Sequence, residues 1–174
     1  PRPLPPQLPS SPLVSIRSLS DPATVNSGDS YHLEWRNAGK MLRGFLVDVS
    51  GHGLGTALQT ASIKVLLQET AISQLALKQQ MQWVNSRAAK YFTDGAFAAI
   101  LGFELDLAKS ELRYIGAGIT SFYANGRKIA TPGMFVGLWD DAEFTAGVLP
   151  VEEGDCIHFL TDGFSDALAQ PENT

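Results

Sequence analysis

Asp48 closes an apolar run, Phe45-Leu46-Val47, and is followed by glycines at alternate positions, Gly51, Gly53 and Gly55, and then by a helix-forming stretch. Asp162 stands in the same way at the end of Ile157-His158-Phe159-Leu160-Thr161, with Gly163 directly after it. Asp29 lies in Ser27-Gly28-Asp29-Ser30, ahead of another strand-like run. An aspartate at a strand end usually only caps a turn. Several of them, each near glycine, point instead to a site. A dinucleotide-binding turn is the first alternative. It is disfavoured because the third glycine comes one residue early for G-x-G-x-x-G and the surrounding chain lacks repeated strand–helix alternation. Asp48 would also face the pyrophosphate, where like charges repel. A divalent cation between carboxylate and phosphate removes that conflict. Mg²⁺ and Mn²⁺ prefer oxygen ligands, and clustered aspartates repel one another until such an ion binds. The glycines let the backbone pass close to the ions. Two ions can polarise a phosphoryl group and lower the pKa of a shared water, which becomes the nucleophile.

These residues have to be placed by the elements around them. Tyr31–Arg36 and Met41–Val49 are strand-like and flank Asn37-Ala38-Gly39-Lys40, which is turn chemistry, so a hairpin is predicted. Ala57, Leu58, Ala61, Val65 and Leu66 recur at helical steps and predict a helix from Leu54 to about Glu69. A second helix is predicted from about Ser73, a suitable N-cap, to about Phe92, with Leu77, Met81, Val84 and Ala88 as its core stripe. Strands are expected at Ala96–Leu105, Glu111–Ala117, Ser121–Ala124, Lys128–Thr131, Phe144–Val148 and Cys156–Leu160, with Asn125-Gly126 as a hairpin turn. Leu13–Leu19 alternates like a half-buried strand, Cys156 reads as a small buried hydrophobe, and a short helix is expected near Phe164. Strands, then helices, then strands describe an α+β layered domain with largely antiparallel sheets.

Composition sets the bounds. The 174 residues suit one domain, and 44% hydrophobic with 18% charged residues is a globular composition. A formal charge of -5 without a Lys/Arg cluster argues against nucleic acid as partner. The lone Cys156 suits a reducing compartment, no apolar run reaches membrane-spanning length and no signal-peptide pattern is present, so a cytoplasmic location is expected. Residues 1–12 hold six of the ten prolines and read as a linker or extended arm before a domain at residues 13–174. The chain starts at Pro1 without methionine and ends in polar Pro171-Glu172-Asn173-Thr174, so it is expected to be a piece of a longer protein. Oligomeric state is left open, with a homodimer as one form.

Asp48-Val49-Ser50-Gly51-His52-Gly53, with Ala57-Leu58 after it, resembles the signature of the metal-dependent (PPM-type) serine/threonine phosphatases, in the branch of the bacterial stage II sporulation protein E. Gly28-Asp29-Ser30-Tyr31 resembles the family's G-D-x-Y segment, Leu112–Gly118 its "l-x-y-x-n-A-G" strand, and Gly154–Gly163 its "G-D-x-l-l-l-y-T-D-G". The motifs keep the family's order from about Leu13 onward. The resemblance implies a four-layer α-β-β-α sandwich with Mn²⁺ or Mg²⁺ in a two-ion site at one end of the sheets. It implies hydrolysis of phosphoserine or phosphothreonine on a protein such as an anti-sigma-factor antagonist, with a sensor or receiver domain upstream. Asp48 would be the ligand shared by both ions, assisted by the backbone carbonyl of Val49; Asp162 would hold one ion; Asp29 would act at the second through water. His52, whose ring type titrates near neutrality, is the candidate general acid, although relatives vary there. The chain departs from the pattern at His32, where relatives often have an acid, and at Ile119, where many have histidine. The family's last metal-binding aspartate would fall beyond Thr174, which would leave the two-ion site incomplete in this stretch. The alternative is a phosphatase-like regulatory or binding module that is catalytically weak or inactive.

Overall fold

Alternation along one strand divides the interior in two. In Met41–Val49, Phe45, Val47 and Val49 are buried in one apolar cluster, while Leu42 and Leu46 pack into another. A strand with apolar side chains on both faces has to lie inside a layered structure. A computed structural model of the chain shows the layers and describes residues 8, 9, 11–18, 29–51, 53–72, 74–92 and 95–161. The elements are β1 (Asp29–Arg36), β2 (Met41–Val49), α1 (Leu54–Ile72), α2 (Leu77–Tyr91), β3 (Ala98–Asp106), β4 (Glu111–Ala117), β5 (Ser121–Ala124), β6 (Arg127–Ala130), β7 (Ala146–Pro150) and β8 (Ile157–His158). One sheet has the order β1-β2-β3-β4-β7 and a smaller one the order β6-β5-β8, and every strand pair in them is antiparallel. The fold is α+β, and among the described residues it comprises a helical layer, the large sheet and the small sheet.

The helical layer covers one face of the large sheet. Ile63, Leu66 and Leu67 of α1 and Leu77, Met81, Val84 and Ala88 of α2 pack on Phe45, Val47, Ile100 and Ile115. The stripe predicted for α2 is therefore core. On α1 the buried face also takes in Thr56 and Thr60, whereas Leu58 and Val65, which carry much of the helical periodicity, are 61% and 59% exposed. The other face of the large sheet meets the small sheet around Leu101, Phe103, Leu112 and Phe122. Phe159, just past β8, stacks on Phe103 with ring centroids 4.3 Å apart, and Tyr114 meets Phe122 edge-on at 4.9 Å. Gly44 is required here: a Cβ at this position would run into the ring of Phe103 and into Leu33.

Both predicted hairpin turns are present. Asn37 and Ala38 take φ of 51° and 54° ahead of Gly39, and Asn125-Gly126 takes 51° and 76° between β5 and β6, the left-handed pair that a two-residue turn demands. Three expectations need correction. Leu13–Leu19 forms no strand among its described residues; Val14 and Ile16 still lean on the inter-sheet core, so the alternation reflects one-sided packing without ladder partners. The second helix starts at Leu77, where the Ala76 N–H is held by Gln79 Oε1 at 3.2 Å. Cys156 is exposed, since Ile157 and Phe159 take the inward positions of that segment, and its sulfur lies 3.6 Å from His158 Nε2. Ser73 and the helix expected near Phe164 lie outside the described residues.

A buried charge cluster locks the far end of the helical pair to the sheet. Arg43 and Glu104 are only 3% and 6% exposed. The Arg43 guanidinium donates to Glu104 Oε1 through Nε at 2.8 Å and also through a terminal nitrogen. The other terminal nitrogen donates to the Leu75 carbonyl and to Gln80 Oε1, both at 2.7 Å, and Gln80 Nε2 donates to the Leu67 carbonyl at 3.1 Å. Strands, helices and the connection between them are thus held through one side chain. Burial pulls the Arg43 pKa down, and hydrogen bonding to Glu104 pulls it back up.

Candidate metal centre

The centre is built at the opposite end of the large sheet. The β1–β2 register places Asp29 directly opposite Asp48. Side chains of directly paired residues share a face, with Cβ atoms about 4.5–5.5 Å apart. In the same register Leu33 faces Gly44 and Trp35 faces Leu42, and these residues line the inter-sheet core. Asp29 and Asp48 therefore project from the face that meets the small sheet, at its open rim. Asp29 is exposed and Asp48 half-buried. Like charges directly opposite in a sheet are destabilising, a cost that a cation between them would relieve.

A third segment reaches the same rim from the small sheet. Ile157 and Phe159 point into the inter-sheet core, and Thr161, two residues on, donates from Oγ1 to Asp29 Oδ2 at 3.0 Å. That contact joins positions 132 residues apart in sequence and brings the chain immediately before Asp162 to Asp29. Asp162 and His52 themselves lie outside the described residues. The Val49 side chain is packed in the core, so only its backbone is a candidate donor.

The turn after β2 is pinned at several points. The Ser50 N–H donates to the Phe97 carbonyl at 2.9 Å, and Ser50 Oγ accepts from the Phe97 N–H at 3.0 Å. Thr56 Oγ1, in the first turn of α1, lies 3.4 Å from the Ser50 carbonyl. Gly51 and Gly53 take φ of +98° and +87°, which L side chains rarely adopt, so this path away from Asp48 requires glycine. The chain leaves β2 beside Asp48, runs down α1 and back up α2, and re-enters the sheet at Ala98, the register partner of Val49. The helical pair is thus an excursion that begins and ends at the carboxylate rim.

As a donor set, two strand-end carboxylates and the carbonyls of a glycine turn fit a hard divalent ion, which takes oxygen ligands. No group of three acidic, histidine or cysteine side chains suited to a metal occurs among the described residues alone. Thr161 and Ser50 were not singled out as site residues from the sequence. The signal for Thr161 was its place beside Asp162, in step with the inward-facing Phe159. His32, the departure from the family pattern, is on the other face of β1, 3.9 Å from Glu34. No described helix is long and apolar enough to cross a membrane.

A family model for stage II sporulation protein E (SpoIIE) matches residues 38–174. The chain is 23% identical over 168 residues to the phosphoserine phosphatase RsbP of Bacillus subtilis (strain 168), covering 90% of this chain and 41% of that protein. Among solved structures, it is similar to the PP2C phosphatase domain with a regulatory-domain fragment of the cell-fate determinant SpoIIE from Bacillus subtilis. The TM-score is 0.72 at 18% identity, over 84% of this chain and 43% of that one. The catalytic domain of the serine threonine protein phosphatase PstP, solved in complex with two manganese ions, matches with a TM-score of 0.53 at 14% identity, over 82% of this chain and 72% of that one. The chain spans less than half the length of the first two relatives.

Proposed function

The chain belongs to the stage II sporulation protein E family, and we propose that it acts as a metal-dependent protein phosphatase domain, removing phosphate from phosphoserine or phosphothreonine. The observation that carries this reading is the direct pairing of Asp29 with Asp48 at the sheet end, with Thr161 drawn onto Asp29 from the other sheet. The fit of oxygen donors to a hard ion supports Mn²⁺ or Mg²⁺ as the cofactor. Bound there, two ions would polarise the phosphoryl group and lower the pKa of a water to make it the nucleophile.

The chain's own residues take the remaining roles. Asp48 and the carbonyl of Val49 would hold the metal at the strand end. Asp162 would supply a further carboxylate, and Asp29 would act through water. His52, with an imidazole suited to neutral pH, gives a proton to the departing seryl or threonyl oxygen. The apolar inter-sheet core beneath the rim holds the carboxylates on rigid strands, so the ligands need little reorganisation. The substrate is a phosphorylated regulatory protein such as an anti-sigma-factor antagonist, the signal comes from an upstream sensor or receiver domain, and the setting is the cytoplasm.

The test is release of inorganic phosphate from a phosphoserine protein in Mn²⁺ buffer, by a protein extended past Thr174. Loss of an outer-sphere partner alone weakens metal sites about 10–100-fold. Asp48→Ala, which removes a ligand, is therefore expected to lower turnover by at least about a hundredfold, and chelation to do the same. Turnover indifferent to both would rule the mechanism out. Mn²⁺ binding without phosphate release would favour the regulatory module.

A further inference from the structure

The Asp29 carboxylate is held by a specific hydroxyl, and we infer that Thr161 is a positioning residue for the metal centre, a role that rests on the phosphatase reading above. Its Oγ1 donates to Asp29 Oδ2 at 3.0 Å. The two oxygens of an ionised carboxylate offer about four acceptor sites, and the hydroxyl takes one of them on Oδ2. The remaining sites stay open to an ion or its water. Without the hydroxyl the exposed Asp29 side chain, at the first residue of an edge strand, can rotate freely about its own bonds. The hydrogen bond restrains that rotation.

Two further observations make the contact more than a surface coincidence. Thr161 is in step with Ile157 and Phe159, whose side chains lie in the inter-sheet core, and the Phe159 ring is stacked on Phe103. The hydroxyl is therefore delivered by an anchored segment. Asp29 is likewise fixed by its register with Asp48. The bond closes a bracket between the two sheets at the level of the carboxylates, so alignment of the small sheet is transmitted to the ligand geometry. Threonine serves because its methyl and hydroxyl are held to few rotamers by β-branching.

The experiment is titration calorimetry of Mn²⁺ into the full chain for wild type, Thr161→Val, Thr161→Ser, Asp29→Asn and the Thr161→Val/Asp29→Asn double variant. Thr161→Val keeps the shape and removes the donor; it is expected to weaken Mn²⁺ binding about tenfold, the lower end for outer-sphere partners. Thr161→Ser retains the donor and is expected to stay within about twofold of wild type. In the Asp29→Asn background the valine substitution should add little, since the hydroxyl acts through Asp29. Equal Mn²⁺ affinity in Thr161→Val and wild type would overturn the inference and leave the metal centre standing, as would a valine effect undiminished in the Asp29→Asn background. Absence of Mn²⁺ binding in wild type would instead overturn the metal reading itself, and the inference with it.

Discussion

The two ends of the large sheet handle charge in opposite ways. At one end Arg43 and Glu104 are of opposite sign, buried and bonded to each other, to Gln80 and to the Leu75 carbonyl. At the other, Asp29 and Asp48 are of like sign, paired across two strands and open to solvent at the rim. A buried pair is tolerable only when each hydrogen-bonding group is satisfied, and what it then supplies is a fixed geometry. A like-charged pair directly opposite in a sheet costs stability, and a cation between the two carboxylates would relieve that cost. Charge at the first end is structural, and charge at the second is what the proposed cation site would use.

The largest effect that would sharpen this contrast is on stability. Arg43→Met leaves Glu104 buried without its partner and should destabilise by about 3–5 kcal/mol, read from urea denaturation. The joint replacement Arg43→Met/Glu104→Leu removes both charges and should recover most of that loss. If the double variant were as unstable as the single one, the ion pair would have no special place in the clamp. Next in size is loss of function without loss of fold. Asp48→Asn keeps the side-chain shape, so its urea midpoint without metal should move by less than that of Arg43→Met, while a hundredfold fall in turnover corresponds to about 2.7 kcal/mol of barrier.

The smallest effect concerns the loop before β8. Asp155 accepts from the Glu152 N–H at 2.8 Å and from Asn125 Nδ2 at 2.7 Å, and these bonds, the first above all, hold its carboxyl below the ordinary aspartate value. A depressed carboxylate contributes stability above its unfolded pKa and loses it as pH falls through the folded one. The stability difference between wild type and Asp155→Asn should therefore be present at neutral pH and shrink below about pH 4, measured by melts across that range. A difference independent of pH would mean that these bonds do not depend on the charge.

Much of this was legible in the chain because local chemistry and tertiary structure agree. Asn37–Lys40 and Asn125-Gly126 are turns wherever they stand, and the helical steps of Leu77, Met81, Val84 and Ala88 survive as a buried face. Asp29 and Asp48 were legible as strand-end acids, and their direct register is what makes them a pair. What was hidden depends on partners remote in sequence. Nothing in Met41–Val49 marks Arg43 as buried, since its neutralising Glu104 is 61 residues away. Leu58 and Val65 look like core until Thr56 and Thr60 are seen to take the inward side of α1. Thr161 carries no signal alone, because its meaning comes from Asp29 on the other sheet.

The most direct test of the central claim is thermal unfolding with and without Mn²⁺. A ligand that binds only the folded state stabilises by RT ln(1 + [L]/Kd), about 2.7 kcal/mol at a hundredfold excess over Kd. The wild-type midpoint should rise with Mn²⁺ concentration and return on chelation, while Asp48→Asn should stay flat across the same range. A wild-type midpoint indifferent to Mn²⁺, or an Asp48→Asn response equal to that of wild type, would contradict a cation site at the Asp29–Asp48 rim.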